Sequence, residues 1–160
     1  MVYRTIHTPV GALLLAADAA ALRVLAFAGD GRAPKAAADW RPDTGELNAL
    51  VDELKAYFAG ALQSFTTPVA PQGTPFQRAV WEQLRKIPYG ETISYGELAR
   101  RLGNPKAVRA VGLANGSNPI SILIPCHRVI GSNGSLVGYG GGLPIKQALL
   151  ALERGQTRLL

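Results

Sequence analysis

A chain of 160 residues that is 48% apolar and 18% charged can bury a core, and its single Cys excludes both an internal disulfide and a multi-cysteine zinc site. The net charge of +6 is unevenly distributed: residues 1–70 hold six Lys/Arg against seven Asp/Glu, and residues 71–160 hold eleven against four. The second part therefore has the charge of a surface that meets polyanions, while the longest apolar stretch, Val10 to Ala17, falls far short of the roughly 20 residues of a membrane-spanning helix.

In chain order, Tyr3 to His7, Ala12 to Ala17 and Leu22 to Phe27 are short apolar or alternating runs, separated by Thr8-Pro9-Val10-Gly11 and Ala19-Ala20. They predict a small antiparallel meander. Residues 1–19 contain Arg4, an apolar run and Ala17-Asp18-Ala19, but Pro9 and Gly11 break the run, so strands are expected rather than an export signal. Met1 leads straight into the first strand, which fits a stand-alone protein, and a lone reduced Cys fits the cytoplasm. Gly29 to Pro42 reads as a loop. Leu47, Leu50, Val51, Leu54, Tyr57 and Phe58 recur at helical spacing before Gly60. Thr66 to Gly73 reads as a linker, and the charge balance changes there, placing a domain boundary near residue 70.

The second part opens with Thr74-Pro75-Phe76-Gln77, a capping box with Pro at the first helical position, on a helix expected to bury Phe76, Val80, Trp81 and Leu84. Ser94-Tyr95-Gly96-Glu97 is a second capping box, opening a short helix that Gly103 closes. Asn104-Pro105 is expected to start the next helix, running to about Asn115. Two short helices across a tight turn fit a helix-turn-helix. On the second of them Val108 and Val111 are expected to pack, while Arg109, Gly112 and Gly116 share another face. Glycine costs about 1 kcal/mol in a helix interior, so that face suits the close approach of a nucleic acid.

Ile122 to Ile130 sets the only Cys, Cys126, beside one of the two His, His127, within an apolar run. A lone Cys is most often a small buried hydrophobe. Here Pro125 fixes the approach, His127 can accept a proton, and the charge of Arg128 is expected to favour a thiolate, a strong nucleophile. Adjacent strand residues point oppositely, so the pair needs a turn or a bridging water. Glu153, the only carboxylate after Glu97, can orient the imidazole. The run Gly138-Tyr139-Gly140-Gly141-Gly142 lacks a phosphate-loop Lys-Ser pair, yet its glycines admit a substrate to the backbone and Tyr139 can wall a flat pocket.

From Thr74 to Glu153 the chain resembles the O6-alkylguanine-DNA alkyltransferases. The blocks that carry the resemblance are Pro88-Tyr89-Gly90-Glu91-Thr92, Ser94-Tyr95-Gly96, Gly103-Asn104-Pro105-Lys106-Ala107, Arg109-Ala110-Val111-Gly112, Ser117-Asn118-Pro119, Ile124-Pro125-Cys126-His127-Arg128-Val129 and Tyr139-Gly140-Gly141-Gly142-Leu143. The first 70 residues match only in outline. The resemblance implies an α+β fold: an N-terminal antiparallel sheet with a helix (1–70), then a mostly helical domain with a helix-turn-helix (71–160). It implies that Cys126 takes the alkyl group from O6-alkylguanine, and from O4-alkylthymine, in double-stranded DNA, once and irreversibly.

In that reading His127, through water, and Glu153 generate the thiolate, Asn118 braces the turn, and Tyr95 protonates the departing guanine. Arg109 fills the gap left by the flipped nucleotide. Ala110, Gly112, Asn115, Lys106 and Tyr95 face the DNA. The carbonyls of Cys126 and Val129, with Tyr139, the Gly140 N–H and Gly141, form the base pocket. No metal, cofactor or membrane is implied. A monomer is expected, with cooperative assembly on DNA left open. Two alternatives are a damage sensor without transfer activity and a thiol hydrolase.

Overall fold

The structure is a computed structural model and describes residues 1–28, 35–136, 139 and 141–155. The meander forms as β1 (Val2–Thr8), β2 (Gly11–Ala17) and β3 (Leu22–Phe27), and a two-residue strand, β4 (Arg41–Pro42), adds itself parallel to β1, giving the order β3-β2-β1-β4. The first turn is tight enough that Gly11 has φ +103°, a conformation that disfavours other residues. Leu13 to Ala17 of the inner strand β2 are all buried, as befits a strand covered on both faces. α1 (Asn48–Phe58) lays Leu50, Val51, Leu54, Tyr57 and Phe58 into the core, and Gly60 terminates it at φ +76°.

The segment read as a linker is pinned to the sheet. Leu22 N–H donates to the Pro68 carbonyl at 2.9 Å, and Ala70 N–H donates to the Leu22 carbonyl at 3.0 Å. Strand β3 binds the second part in the same way: Leu25 N–H donates to Pro119 O at 3.0 Å and Ser121 N–H to Leu25 O at 2.9 Å. An edge strand offers unpaired backbone groups along its length, and both segments use them. One hydrophobic cluster accordingly runs from Val2 to Leu152.

α2 (Pro75–Leu84) carries the complete capping box, with Thr74 and Gln77 bonding reciprocally. Val80, Trp81 and Leu84 are buried, but Phe76 is 40% exposed, because the first turn overhangs the core. Gly73 lies so close beneath Trp81 that a Cβ would stand 2.5 Å from the ring. α3 (Tyr95–Arg101) begins at Ser94, which accepts from Glu97 N–H. Glu97 turns its carboxylate to Arg100 and Arg101, so only half of that capping box forms.

Asn104 to Lys106 form a turn, not the start of a helix, and α4 runs Val108–Gly116. Val111 is buried, whereas Val108 is 40% exposed in the first turn, outside the packed stripe. The short strands β5 (Ile93–Ser94) and β6 (Val129–Ile130) pair in parallel, and α5 (Leu143–Glu153) follows Gly142 at φ +96°. No described helix is long and apolar enough to cross a membrane.

Candidate active site

The chain enters the Cys126 region through a constrained bend. Ile122 holds φ +72°, an uncommon conformation for a β-branched residue. Asn118 fastens the bend at two points: its Nδ2 donates to the Ile124 carbonyl at 2.7 Å and its Oδ1 accepts from Ile120 N–H at 3.0 Å. A single 3₁₀ turn, Cys126–Arg128, follows, which resolves how a neighbouring Cys and His can serve one site. Asn115 reaches in from α4 and donates to the Cys126 carbonyl at 3.4 Å.

Beneath the turn lies a buried polar relay. His127 Nε2 is 2.7 Å from Glu153 Oε2. Arg128 donates to both carboxylate oxygens, Nε to Oε1 at 2.8 Å and Nη2 to Oε2 at 3.0 Å, and its Nη1 donates to the Ile87 carbonyl at 2.7 Å. The Tyr57 hydroxyl donates to Oε2 at 2.6 Å, and Gly90 N–H to Oε1 at 3.4 Å. A Cβ on Gly90, which has φ +82°, would stand 3.2 Å from the Glu153 carbonyl, so this turn needs glycine to close over the helix end. Burial opposes charge on Glu153, but the hydrogen bonds of His127 and Arg128, the Arg128 charge and, when the imidazole is protonated, the His127 charge outweigh it and hold the carboxyl well below the usual carboxylate range.

The tautomer follows. An ionised Glu153 only accepts, so Nε2 of His127 carries the hydrogen and Nδ1 is left with a bare lone pair. Burial pushes the imidazole pKa down; Glu153 pulls it back, and Arg128 and Lys146 push it down again, leaving it below the ordinary value and neutral near pH 7. Burial likewise pushes the Cys126 thiol up, against smaller opposing effects of Asn118, Lys146 and Ser121. The expectation that Arg128 favours the thiolate is corrected: its guanidinium is engaged by Glu153. Lys146 is the cation that Cys126 senses; it is fully buried, and its Nζ donates to Val129 O at 2.6 Å and lies 6.0 Å from the centre of the Tyr95 ring.

Tyr95 is half-buried at the start of α3. Burial raises its pKa, negative charge on Cys126 raises it further, and the Asn115 side chain draws it down. Tyr139 crosses the Phe27 ring edge-on at 5.6 Å, and burial together with charge on Cys126 holds its phenol protonated. Gly141 packs so tightly on Phe27 that a Cβ would meet the ring at 2.8 Å, so Gly141 docks on the sheet. Gly140 lies outside the described residues. Three buried polar side-chain atoms among the described residues lack a partner, Asn115 Oδ1, His127 Nδ1 and Tyr139 Oη, and all three belong to this site. Unsatisfied buried polar groups are rare enough to point to a missing ligand.

The structure thus brings together Cys126, His127, Glu153, Asn118, Tyr95, Tyr139 and Val129. Asn115, expected on the DNA face, is instead buried against Cys126. Val129 O already accepts from Lys146. Arg109, Ala110 and Lys106 are exposed on or just before α4. A Cβ on Gly112 would make ordinary contact with Tyr95 at 3.9 Å, so nothing within the chain demands glycine there. Sequence reasoning missed Tyr57 and Lys146. A lysine inside the apolar run Leu143 to Leu150 was a signal for the second; Tyr57, 96 residues from Glu153, gave none. Among the described residues no cluster of three His, Cys, Asp or Glu could hold a metal ion.

Two family models match the chain: the ribonuclease-like domain of 6-O-methylguanine DNA methyltransferase over residues 1–71, and its DNA binding domain over residues 75–155. The methylated-DNA–protein-cysteine methyltransferase of Methanosarcina mazei is 49% identical over 158 residues, covering 99% of this chain and all of the relative. That of Mycobacterium bovis is 51% identical over 155 residues, covering 97% and 93%. The crystal structure of Mycobacterium tuberculosis OGT in complex with DNA superposes with a TM-score of 0.91 at 49% identity, covering 99% of this chain and 96% of that one. The O6-methylguanine-DNA methyltransferase of Pyrococcus kodakaraensis superposes at 0.68 with 25% identity, covering 95% and 98%.

Proposed function

The chain belongs to the 6-O-methylguanine DNA methyltransferase family, and on that premise we propose that it repairs DNA by moving the alkyl group of O6-alkylguanine, and of O4-alkylthymine, onto Cys126. The observation that carries the proposal is the buried, bare Nδ1 of His127, fixed by the 2.7 Å contact of Nε2 with Glu153 and adjoining the one cysteine of the chain.

The lesion lies inside the base stack, so the nucleotide must be flipped out, which costs a few kcal/mol. Arg109, exposed on α4, stacks in the gap, and the basic second part, residues 71–160, meets the phosphates. Gly112 and Gly116 support this face, since a Cβ at either would meet no obstacle inside the chain. In the pocket the Cys126 proton passes to His127 Nδ1, through water. The sulfur attacks the alkyl carbon in line, the carbon–O6 bond breaks, and its electron pair leaves with guanine. Tyr95 supplies the proton that neutralises the base. Burial holds its phenol protonated, and so does the negative charge on Cys126 once His127 has taken the thiol proton; that charge vanishes as the carbon–sulfur bond forms. Proton donation is therefore favoured only once transfer is under way. The thioether product is not hydrolysed, so each molecule acts once, as a monomer in the cytoplasm.

Incubation with an O6-methylguanine duplex followed by intact mass tests this. One methyl mass per protein is expected, and none for Cys126→Ala, which still binds DNA. Binding without mass gain would mean a damage sensor. Turnover of esters without DNA would mean a thiol hydrolase.

A further inference from the structure

Tyr57 belongs to α1, in the part of the chain that contributes no other described side chain to the relay. Its ring is held from three sides, by Phe58 and Phe65 at 5.4 Å and by Tyr89 at 6.3 Å between centroids, and it is fully buried. The hydroxyl is thus fixed before any substrate arrives. Its 2.6 Å bond goes to Oε2 of Glu153, the same oxygen that contacts His127 Nε2 at 2.7 Å. Arg128 Nη2 donates to the same oxygen at 3.0 Å, so three donors share it, and the two shortest, from Tyr57 and His127, compete most directly for its lone pairs.

We infer that Tyr57 is a positioning residue for alkyl transfer: by donating to Glu153 Oε2 it fixes the carboxylate and limits its pull on His127, so that the imidazole stays neutral and its Nδ1 stays free to take the Cys126 proton. The inference rests on the proposed function and extends it, giving the N-terminal region a part in the chemistry. A buried tyrosine needs some acceptor, and mere satisfaction of that need is the rival explanation. The two differ in what removal of the hydroxyl does to His127. Without this donor, Oε2 becomes a stronger acceptor and imidazolium becomes easier to form. The other charged or titratable groups facing the pair are Arg128 beside both carboxylate oxygens, Lys146 from α5, Cys126, and the phenols of Tyr89 and Tyr139, all retained in Tyr57→Phe.

The chain has only two histidines, and His7 is exposed on β1, so imidazole ¹⁵N resonances can be followed for both, with His7 as the internal control. In the wild-type protein His127 should show the Nε2–H tautomer. In Tyr57→Phe its titration midpoint should rise by about 0.5–1 pH unit. Methyl transfer should then slow by a few-fold at most at pH 6, and more at pH 6 than at pH 8, where it should stay near wild type. Site-specific fluorination of Tyr57, which makes the phenol a stronger donor, should move the midpoint the other way and covers the case in which Tyr57→Phe does not fold. An unmoved His127 midpoint, or a rate lowered equally at all pH values, overturns the inference. A wild-type protein that takes up no methyl group overturns the proposed function instead, while the titration still decides the role of Tyr57.

Discussion

The two halves of the molecule bury very different things. Before residue 70 the interior is hydrocarbon and aromatic rings, with Leu13, Leu15, Leu22, Leu25, Leu54 and Phe58 essentially dry. Apart from the Tyr57 phenol, every buried polar or charged residue among those described lies after it: Asn115, His127, Arg128, Lys146 and Glu153. Taking a charge out of water costs several kcal/mol even after relaxation. Here the cost falls on groups within hydrogen-bonding reach of one turn, where pKa values must be tuned. The first half behaves as a rigid wall, and the second places its charges against that wall.

The contrast breaks most visibly at Glu153. Glu153→Gln leaves Arg128 buried without its counter-charge, and should cost about 3–5 kcal/mol in denaturant unfolding. It should also slow single-turnover methyl transfer by about 10²–10⁴-fold, because the imidazole loses its orienting charge. Leu13→Ala sharpens the contrast from the other side. A cavity in the sheet core should cost about 2–5 kcal/mol, yet the folded protein should transfer at the wild-type rate with an unshifted pH profile. An altered profile would mean that the hydrocarbon of the sheet, and not Tyr57 alone, tunes the chemistry.

Acid reaches carboxylates in both halves, Asp18, Glu46 and Glu53 in the first among them, but the deeply buried one is Glu153 in the second. The Glu153 pKa is depressed on folding from 4.5, so its contribution to stability is complete above that pH. It drains as the pH falls, and is gone only below the folded-state value. Glu153 should contribute a drop in unfolding free energy of roughly 2 kcal/mol between pH 4.5 and 3, at 1.36 kcal/mol per unit, and Glu153→Gln should remove that share of the slope. Smallest is Thr74→Ala, which deletes the hydroxyl of a complete capping box and should cost about 1 kcal/mol, with transfer unaffected.

What was legible in the sequence follows the range of the forces involved. The meander, the α1 stripe and the Thr74 box are set by neighbours within a few residues, and they form as read. Periodicity gives the face of a helix but not whether its first turn reaches the core, hence the exposure of Phe76 and Val108. The Cys126-His127 pair and Glu153 were legible as chemistry, and Asn118 and Tyr95 through the family pattern. Arg128 was misread because its partner is chosen by the closure of α5, not by adjacency. Tyr57 was invisible for the same reason, and Asn115 turned inward because the helix rotates to seat Val111 and Ala114.

The spacing of the relay along the chain also bears on how the protein is made. His127 precedes Glu153 by 26 residues and Tyr57 precedes it by 96. At about 5–20 residues per second of synthesis, roughly one to five seconds separate the emergence of the sulfur from that of the acid that completes its proton path. A nascent or truncated chain therefore carries an ordinary thiol. The proton path is complete only once Glu153 has met both His127 and Tyr57.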